Sequence, residues 1–191
     1  MDPLTGILSA FGLSSSAGLN AYIPMLILAL TARFTDWFKL EPPYDTLESW
    51  WVIGALVALS IIEFFADKVP AVNHANDIVQ TIIRPASGAV LFAASAQTIT
   101  DVSPVVALIA GLVVAGSVHA VKAVAVRPAV TMTTGGLGNT PVSIAEDILA
   151  AVLSILAVIV PIIVGALIVL VTAFVVWWLW RRANRYRVAG L

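Results

Sequence analysis

The sequence has no cysteine among its 191 residues. That excludes a disulfide frame, a thiolate metal site and a cysteine nucleophile. Charge is scarce as well. Only 11% of residues are Asp, Glu, Lys or Arg, against about 25% in an ordinary soluble domain. So little charge does not cover a water-facing surface, which excludes a soluble enzyme and a disordered regulator. A net charge of −1 points to no polyanionic partner, so nucleic acid is excluded too. The start lacks the basic stretch of an export signal, since Met1-Asp2-Pro3 carries an acid there. The whole chain, 1–191, is expected to be mature protein in a single polytopic membrane domain. A nucleophile elbow, a His-Glu-x-x-His pair and a tight metal motif are also missing. No cofactor and no metal is expected. Two histidines and the oxygen ligands would in any case suit a hard cation better than zinc.

What the chain does have is apolar residues, 60% of the total, with a mean hydropathy of +1.01. The expectation is an all-α integral membrane protein whose main partner is the lipid bilayer. A span takes about 20 apolar residues. Six are expected, at about 5–33, 50–68, 79–100, 103–122, 143–160 and 163–181. Ser103-Pro104 opens the fourth as an N-cap followed by proline. The tract from Ser143 to Trp180 is 38 residues. As one helix it would run roughly 57 Å, against a hydrocarbon core of about 30 Å. Pro161 and Gly165 lie near its middle, so two spans joined by a tight turn are expected there rather than one long kinked helix.

Basic residues orient the spans. With six spans and both termini inside, Lys68, Arg84, Lys122, Arg127, Arg181, Arg182, Arg185 and Arg187 are cytoplasmic and only Arg33 and Lys39 are external, eight against two. Five spans give six against four at best. The positive-inside rule favours six, in the plasma (inner) membrane, with the 34–49 loop outside. Trp177, Trp178 and Trp180 before Arg181-Arg182 form an interfacial stop.

Two segments should interrupt helices. One is Ser14-Ser15-Ser16-Ala17-Gly18-Leu19-Asn20, followed by Tyr22 and Pro24. The other is Thr133-Thr134-Gly135-Gly136-Leu137-Gly138-Asn139-Thr140-Pro141. Serine, glycine and asparagine are poor helix formers, and proline withdraws an amide. Unwound backbone survives at membrane depth only inside protein or beside a wet cavity, and transporters use such breaks at substrate sites. A plain cytoplasmic loop is the other reading of 129–142. The two segments align loosely. His74 before Arg84-Pro85-Ala86 also echoes His119 before Arg127-Pro128-Ala129. Together these suggest an internal duplication.

Ionisable residues fall within apolar surroundings. Glu63 and Asp67 share one face of the second span with Ser60. Glu63 lies deepest, and an intramembrane carboxylate is a functional candidate by default. Ala107, Gly111 and Ala115 lead at four-residue steps to His119, which places His119 toward the bundle interior. Lys122 follows one turn later. Glu146 and Asp147 open the fifth span, where Ser143-x-x-Glu146 also reads as a capping box. His74 and Asp77 fall on an amphipathic interfacial linker, 67–84. Converging carboxylates would repel, so Arg84, Arg127, Lys122 or a bound cation must offset them. A salt-bridge lattice, a proton relay and a cation site all fit this inventory. The expected pathway residues are Glu63, Asp67, His119, Lys122, Arg84, Arg127, Glu146, Asp147, Asn20 and Asn139.

Four motifs carry a resemblance: Ala17-Gly18-Leu19-Asn20-Ala21-Tyr22-Ile23-Pro24, Glu63-Phe64-Phe65-Ala66-Asp67-Lys68-Val69-Pro70, Ile82-Ile83-Arg84-Pro85-Ala86-Ser87-Gly88-Ala89 and Gly138-Asn139-Thr140-Pro141-Val142-Ser143-Ile144-Ala145-Glu146-Asp147. In combination the chain, from about residue 8 to about 180, resembles a bacterial multi-pass membrane family catalogued as domain of unknown function 4126. The resemblance implies a small polytopic inner-membrane protein and supplies no catalytic residues.

The leading expectation is a small permease for an ion or a small polar or anionic solute, coupled to protons through Glu63. A carrier of lipid phosphate is a variant, with Arg84, Arg127 and the 133–141 amides meeting the phosphate. The alternatives are a structural or accessory subunit, and a membrane-embedded enzyme using His119, Glu146 and Asp147 on a lipid headgroup. Small-residue faces also invite a homo-oligomer.

Overall fold

The computed structural model describes residues 3–66, 70–97 and 102–188. Its elements are α1 (Pro3–Leu19), α2 (Tyr22–Phe34), a 3₁₀ turn (Tyr44–Glu48), α3 (Trp50–Ala66), α4 (Pro70–Ala96), α5 (Pro104–Val121), a π turn (Lys122–Val126), α6 (Arg127–Thr134), α7 (Asn139–Ile159) and α8 (Pro161–Val188). No strand occurs among the described residues.

Among these residues three helical stretches are long and apolar enough to cross a membrane: Ile78–Ala96, Pro104–Thr134 and Asn139–Ile159. Tyr22–Phe34, Trp50–Ala66 and Val169–Trp178 are shorter apolar helices. Large apolar side chains lie exposed along α3 (Trp51, Ile61, Ile62, Phe65) and α5 (Val105, Val106, Ile109, Leu112). Water does not tolerate contiguous apolar surface on this scale, whereas hydrocarbon does.

α1 is the central helix, packed on α4, α5, α7 and α8. Its small residues make that place available. A Cβ added at Gly18 would come within 2.6 Å of the Ala115 carbonyl of α5. α4 and α5 approach as closely, with a Cβ at Gly111 meeting the Gly88 carbonyl and the Phe92 Cβ. α5 buries Ala107, Gly111, Ala115 and His119, one stripe at four-residue steps.

Three sequence expectations change here. Ser14 to Leu19 stays helical, and the break is confined to Asn20-Ala21. The serines do not unwind α1 because carbonyls take their hydroxyls. Ser9 Oγ donates to Ala157 of α7 (2.8 Å), Ser14 Oγ to Gly88 of α4 (2.8 Å) and Ser16 Oγ to Gly12 (2.9 Å).

Residues 70–84 are not a separate linker. α4 starts at Pro70, carries the 74 and 77 positions on its first turns, and continues through Pro85. The third change concerns 122–134, which continues the helix begun at Pro104 instead of forming a loop. Only 135–138 is a turn; Leu137 within it and Thr133 and Thr134 at the end of α6 are exposed. Gly135 (φ 61°) and Gly136 (φ 91°) supply the left-handed conformation that stops α6.

The long final tract divides at Val160, whose φ of −135° and ψ of 64° leave the helix just before Pro161. Leu149 of α7 and Val171 of α8 line one cavity from opposite sides of this break, so the two helices form a hairpin.

Candidate functional site

The break between α1 and α2 organises the site. In an unbroken helix the Ile23 amide would bond the Leu19 carbonyl. Instead Asn20 Oδ1 accepts the amides of Tyr22 (3.1 Å) and Ile23 (3.0 Å), and Pro24 has no amide to place. The freed Leu19 carbonyl accepts from Lys122 Nζ at 3.1 Å. Asn20 Nδ2 donates to Asp147 Oδ1 at 3.0 Å. A cation therefore meets the carbonyl end of α1. A carboxylate stands one hydrogen bond from the opening amides of α2. Both placements match the helix dipoles.

A second group lies on α3, α4 and α5. Arg84 is fully buried and its Nη2 bonds Glu63 Oε1 at 2.9 Å. Arg84 Nη1 reaches His119 Nδ1 at 3.4 Å, and His119 Nε2 is 3.2 Å from Thr81 Oγ1. A guanidinium has no acceptor, so Nδ1 accepts and Nε2 carries the proton. His119 in this geometry is the neutral imidazole. Gln80, one turn before Arg84 on α4, is also buried.

The third group is set by the π turn. Residues five apart in an α-helix point about 140° away from each other. Here the Arg127 amide bonds the Lys122 carbonyl, so the widened turn brings residue 127 back over 122. Both side chains reach Glu146 Oε2, Lys122 Nζ at 2.8 Å and Arg127 Nη2 at 3.5 Å. Pro128 explains the widening. It cannot donate to the Val124 carbonyl, and its ring would crowd that carbonyl in an α-helix.

The structure thus joins Glu63, Arg84 and His119, then Lys122, Arg127 and Glu146, then Asn20 and Asp147. Asn139 lies apart, bonded to Thr131 near the α6–α7 turn (3.0 Å). Asp67 lies outside the described residues. Glu146 is not a capping residue, because α7 already begins at Asn139 and Ser143 is buried within it. Arg84, Lys122 and Arg127 all lie on helices of the bundle, with their side chains buried or nearly so.

The proposed duplication gains no support from pairing order. Arg84 follows its carboxylate Glu63, whereas Arg127 precedes its carboxylate Glu146. Gln80 and Thr81 were not among the expected site residues. The signal was available, since Gln80, Arg84 and Ser87 recur on one helical face. Reading 67–84 as a linker hid it.

Beside the break is a recess of about 240 Å³ lined by Asn20, Ile23, Ser60, Phe64 and Asp147. Among the described residues no three His, Asp or Glu side chains converge as a metal site.

No curated protein and no solved structure matches the chain. A family model matches residues 7–182, which is nearly all of it. By that match the chain belongs to the family described as Domain of unknown function (DUF4126).

Proposed function

We propose that the protein is a small multi-pass permease for an ion or a small polar or anionic solute. It crosses the inner membrane six times with both termini cytoplasmic, and protons move with the solute through Glu63. The observation that carries this reading is the broken helix, with Lys122 on the carbonyl end of α1 and Asp147 linked through Asn20 to the amide end of α2. Paired half-helix ends matched with charge are the device that transporters use to hold solutes at membrane depth. The recess between Asn20, Ser60 and Asp147 gives a solute room beside that break. Burying three carboxylates costs several kcal/mol per ion even when paired, an expense that a purely structural bundle avoids by using apolar residues.

Flux into proteoliposomes tests the reading. Wild-type protein is expected to move at least one member of an ion and solute panel above empty vesicles. Glu63→Gln is expected to abolish proton coupling and Asn20→Ala to slow flux. Wild-type vesicles as tight as protein-free ones across the panel would overturn it.

A second reading, an accessory subunit, is favoured by the charge balance. Arg84, Lys122 and Arg127 are offset by Glu63, Glu146 and Asp147, three against three. It predicts stable co-purification with a partner and function that tolerates Glu63→Ala.

A further inference from the structure

α3 packs on α2, the 3₁₀ turn and α4, at the edge of the bundle, and its two halves are held differently. The start is tied at several points. Arg33 Nη1 donates to the Glu48 carbonyl at 2.6 Å, and its guanidinium lies 4.3 Å from the centre of the Trp50 ring. The segment before α3 is fastened to the end of α4 by one side chain used twice. Gln97 Oε1 accepts the Glu41 amide (3.0 Å), and Gln97 Nε2 donates to the Glu41 carbonyl (3.1 Å). Leu47, Ile53 and Leu56 are buried in the main apolar core with Leu28 and Leu91.

Past Leu56, α3 buries a single side chain, Glu63. The inner half is therefore held against α4 through a charge, with Glu63 on Arg84 at 2.9 Å, and not through an apolar face. Elements with few buried apolar contacts are the ones that open first. Two buried polar atoms mark the same seam. Ser60 Oγ, one turn before Glu63, and Gln80 Oε1, one turn before Arg84, have no hydrogen-bond partner among the described residues. Buried polar atoms are nearly always paired, so such atoms on two packed helices need a physical reason. A closed conformation that water enters only when α3 moves supplies one. The inner half of α3 also forms one wall of the recess, with Ser60 and Phe64 on its side and Asn20 and Asp147 across.

We infer that α3 is a gate helix. It pivots at Trp50, its inner half swings away from α4, and the Glu63–Arg84 pair is the catch that holds it shut. The swing widens the recess and admits water to Ser60 and Gln80. This names the moving part of the permease and rests on that reading for its link to transport.

Distances between paired spin labels, measured by electron double resonance in nanodiscs, test the pivot on the full chain, which has no cysteine of its own. Ile62→Cys with Val113→Cys reports the inner half, and Trp51→Cys with Val105→Cys reports the start. All four side chains are exposed. Ile62 lies roughly 18 Å along the helix from Trp50, so a tilt of about 20° moves it about 6 Å. Glu63→Gln removes the charge of the catch. It is expected to raise the population at the longer inner distance about fivefold over wild type, as the loss of one charge-assisted bond implies. The outer pair is expected to stay as in wild type. Gln80→Leu in the same background removes an atom that only the open seam hydrates, and is expected to lower the open population. An inner distance that Glu63→Gln leaves unchanged would overturn the proposal, as would an open population indifferent to Gln80→Leu. So would an outer pair that lengthens with the inner one, since α3 would then detach and not pivot. The labels need no solute, so vesicles that pass none would sink the permease reading while these distances still decide the gate.

Discussion

Glu63, Arg84 and His119 show how one donor fixes the state of its neighbours. Arg84 spends Nη2 on Glu63 and Nη1 on His119 Nδ1. A neutral His119 with its proton on Nε2 follows, because an arginine only donates. Nitrogen-15 shifts of labelled protein at neutral pH are expected to show Nδ1 unprotonated and Nε2 protonated. Protonation at both nitrogens would mean that Arg84 does not face the ring in this way. The pair is also expensive to break. Glu63→Ala leaves the buried Arg84 charge without its carboxylate and is expected to lower stability by about 3–5 kcal/mol. Replacing Glu63 and Arg84 together by methionine is expected to recover most of that loss, since an apolar pair needs no desolvation. Thermal unfolding in detergent measures both. Flux in the stable double variant then separates a transport role from a structural one.

Element contacts depend on small residues in some places and ignore them in others. Gly111 faces the Gly88 carbonyl and Phe92, so any Cβ there pushes α5 off α4. Gly111→Ala is expected to cost about 1–3 kcal/mol through overpacking. Gly54 of α3 has nothing within 4 Å of an added Cβ. Gly54→Ala is expected to stabilise by about 0.5–1 kcal/mol, because glycine within a helix costs that much relative to alanine. Unfolding midpoints of the two variants should move in opposite directions. Helix ends are the best-read features in this chain. Ser103-Pro104, Gly135-Gly136 and the Val160-Pro161 step mark boundaries through backbone chemistry that acts within a few residues. The serine run misleads for the opposite reason. Ser9 and Ser14 are satisfied by carbonyls of α7 and α4, which lie far away in sequence.

At the scale of the whole molecule, the exposed apolar faces of α3, α5 and α8 set the solvent as hydrocarbon, and the charges gather inside. Orientation in the membrane can be tested without background, because the chain has no cysteine. Asp45→Cys is expected to react with an impermeant maleimide in intact cells. Arg185→Cys is expected to react only after permeabilisation. Reversed labelling would invert the proposed topology.

Membrane character and helical class follow from the sequence by itself, because hydropathy and charge scarcity are sums over residues and need no partner. So do the helix ends set by proline and glycine. The set of ionisable residues is legible as well, since each stands out against an apolar stretch. The pairing among them is not. Glu63 with Arg84, Lys122 with both Leu19 and Glu146, and Asn20 with Asp147 join helices remote in the chain. Only tertiary structure decides those pairs, because a buried charge takes whatever partner helix packing brings within about 3 Å. That packing is set by where glycine and alanine let backbones approach.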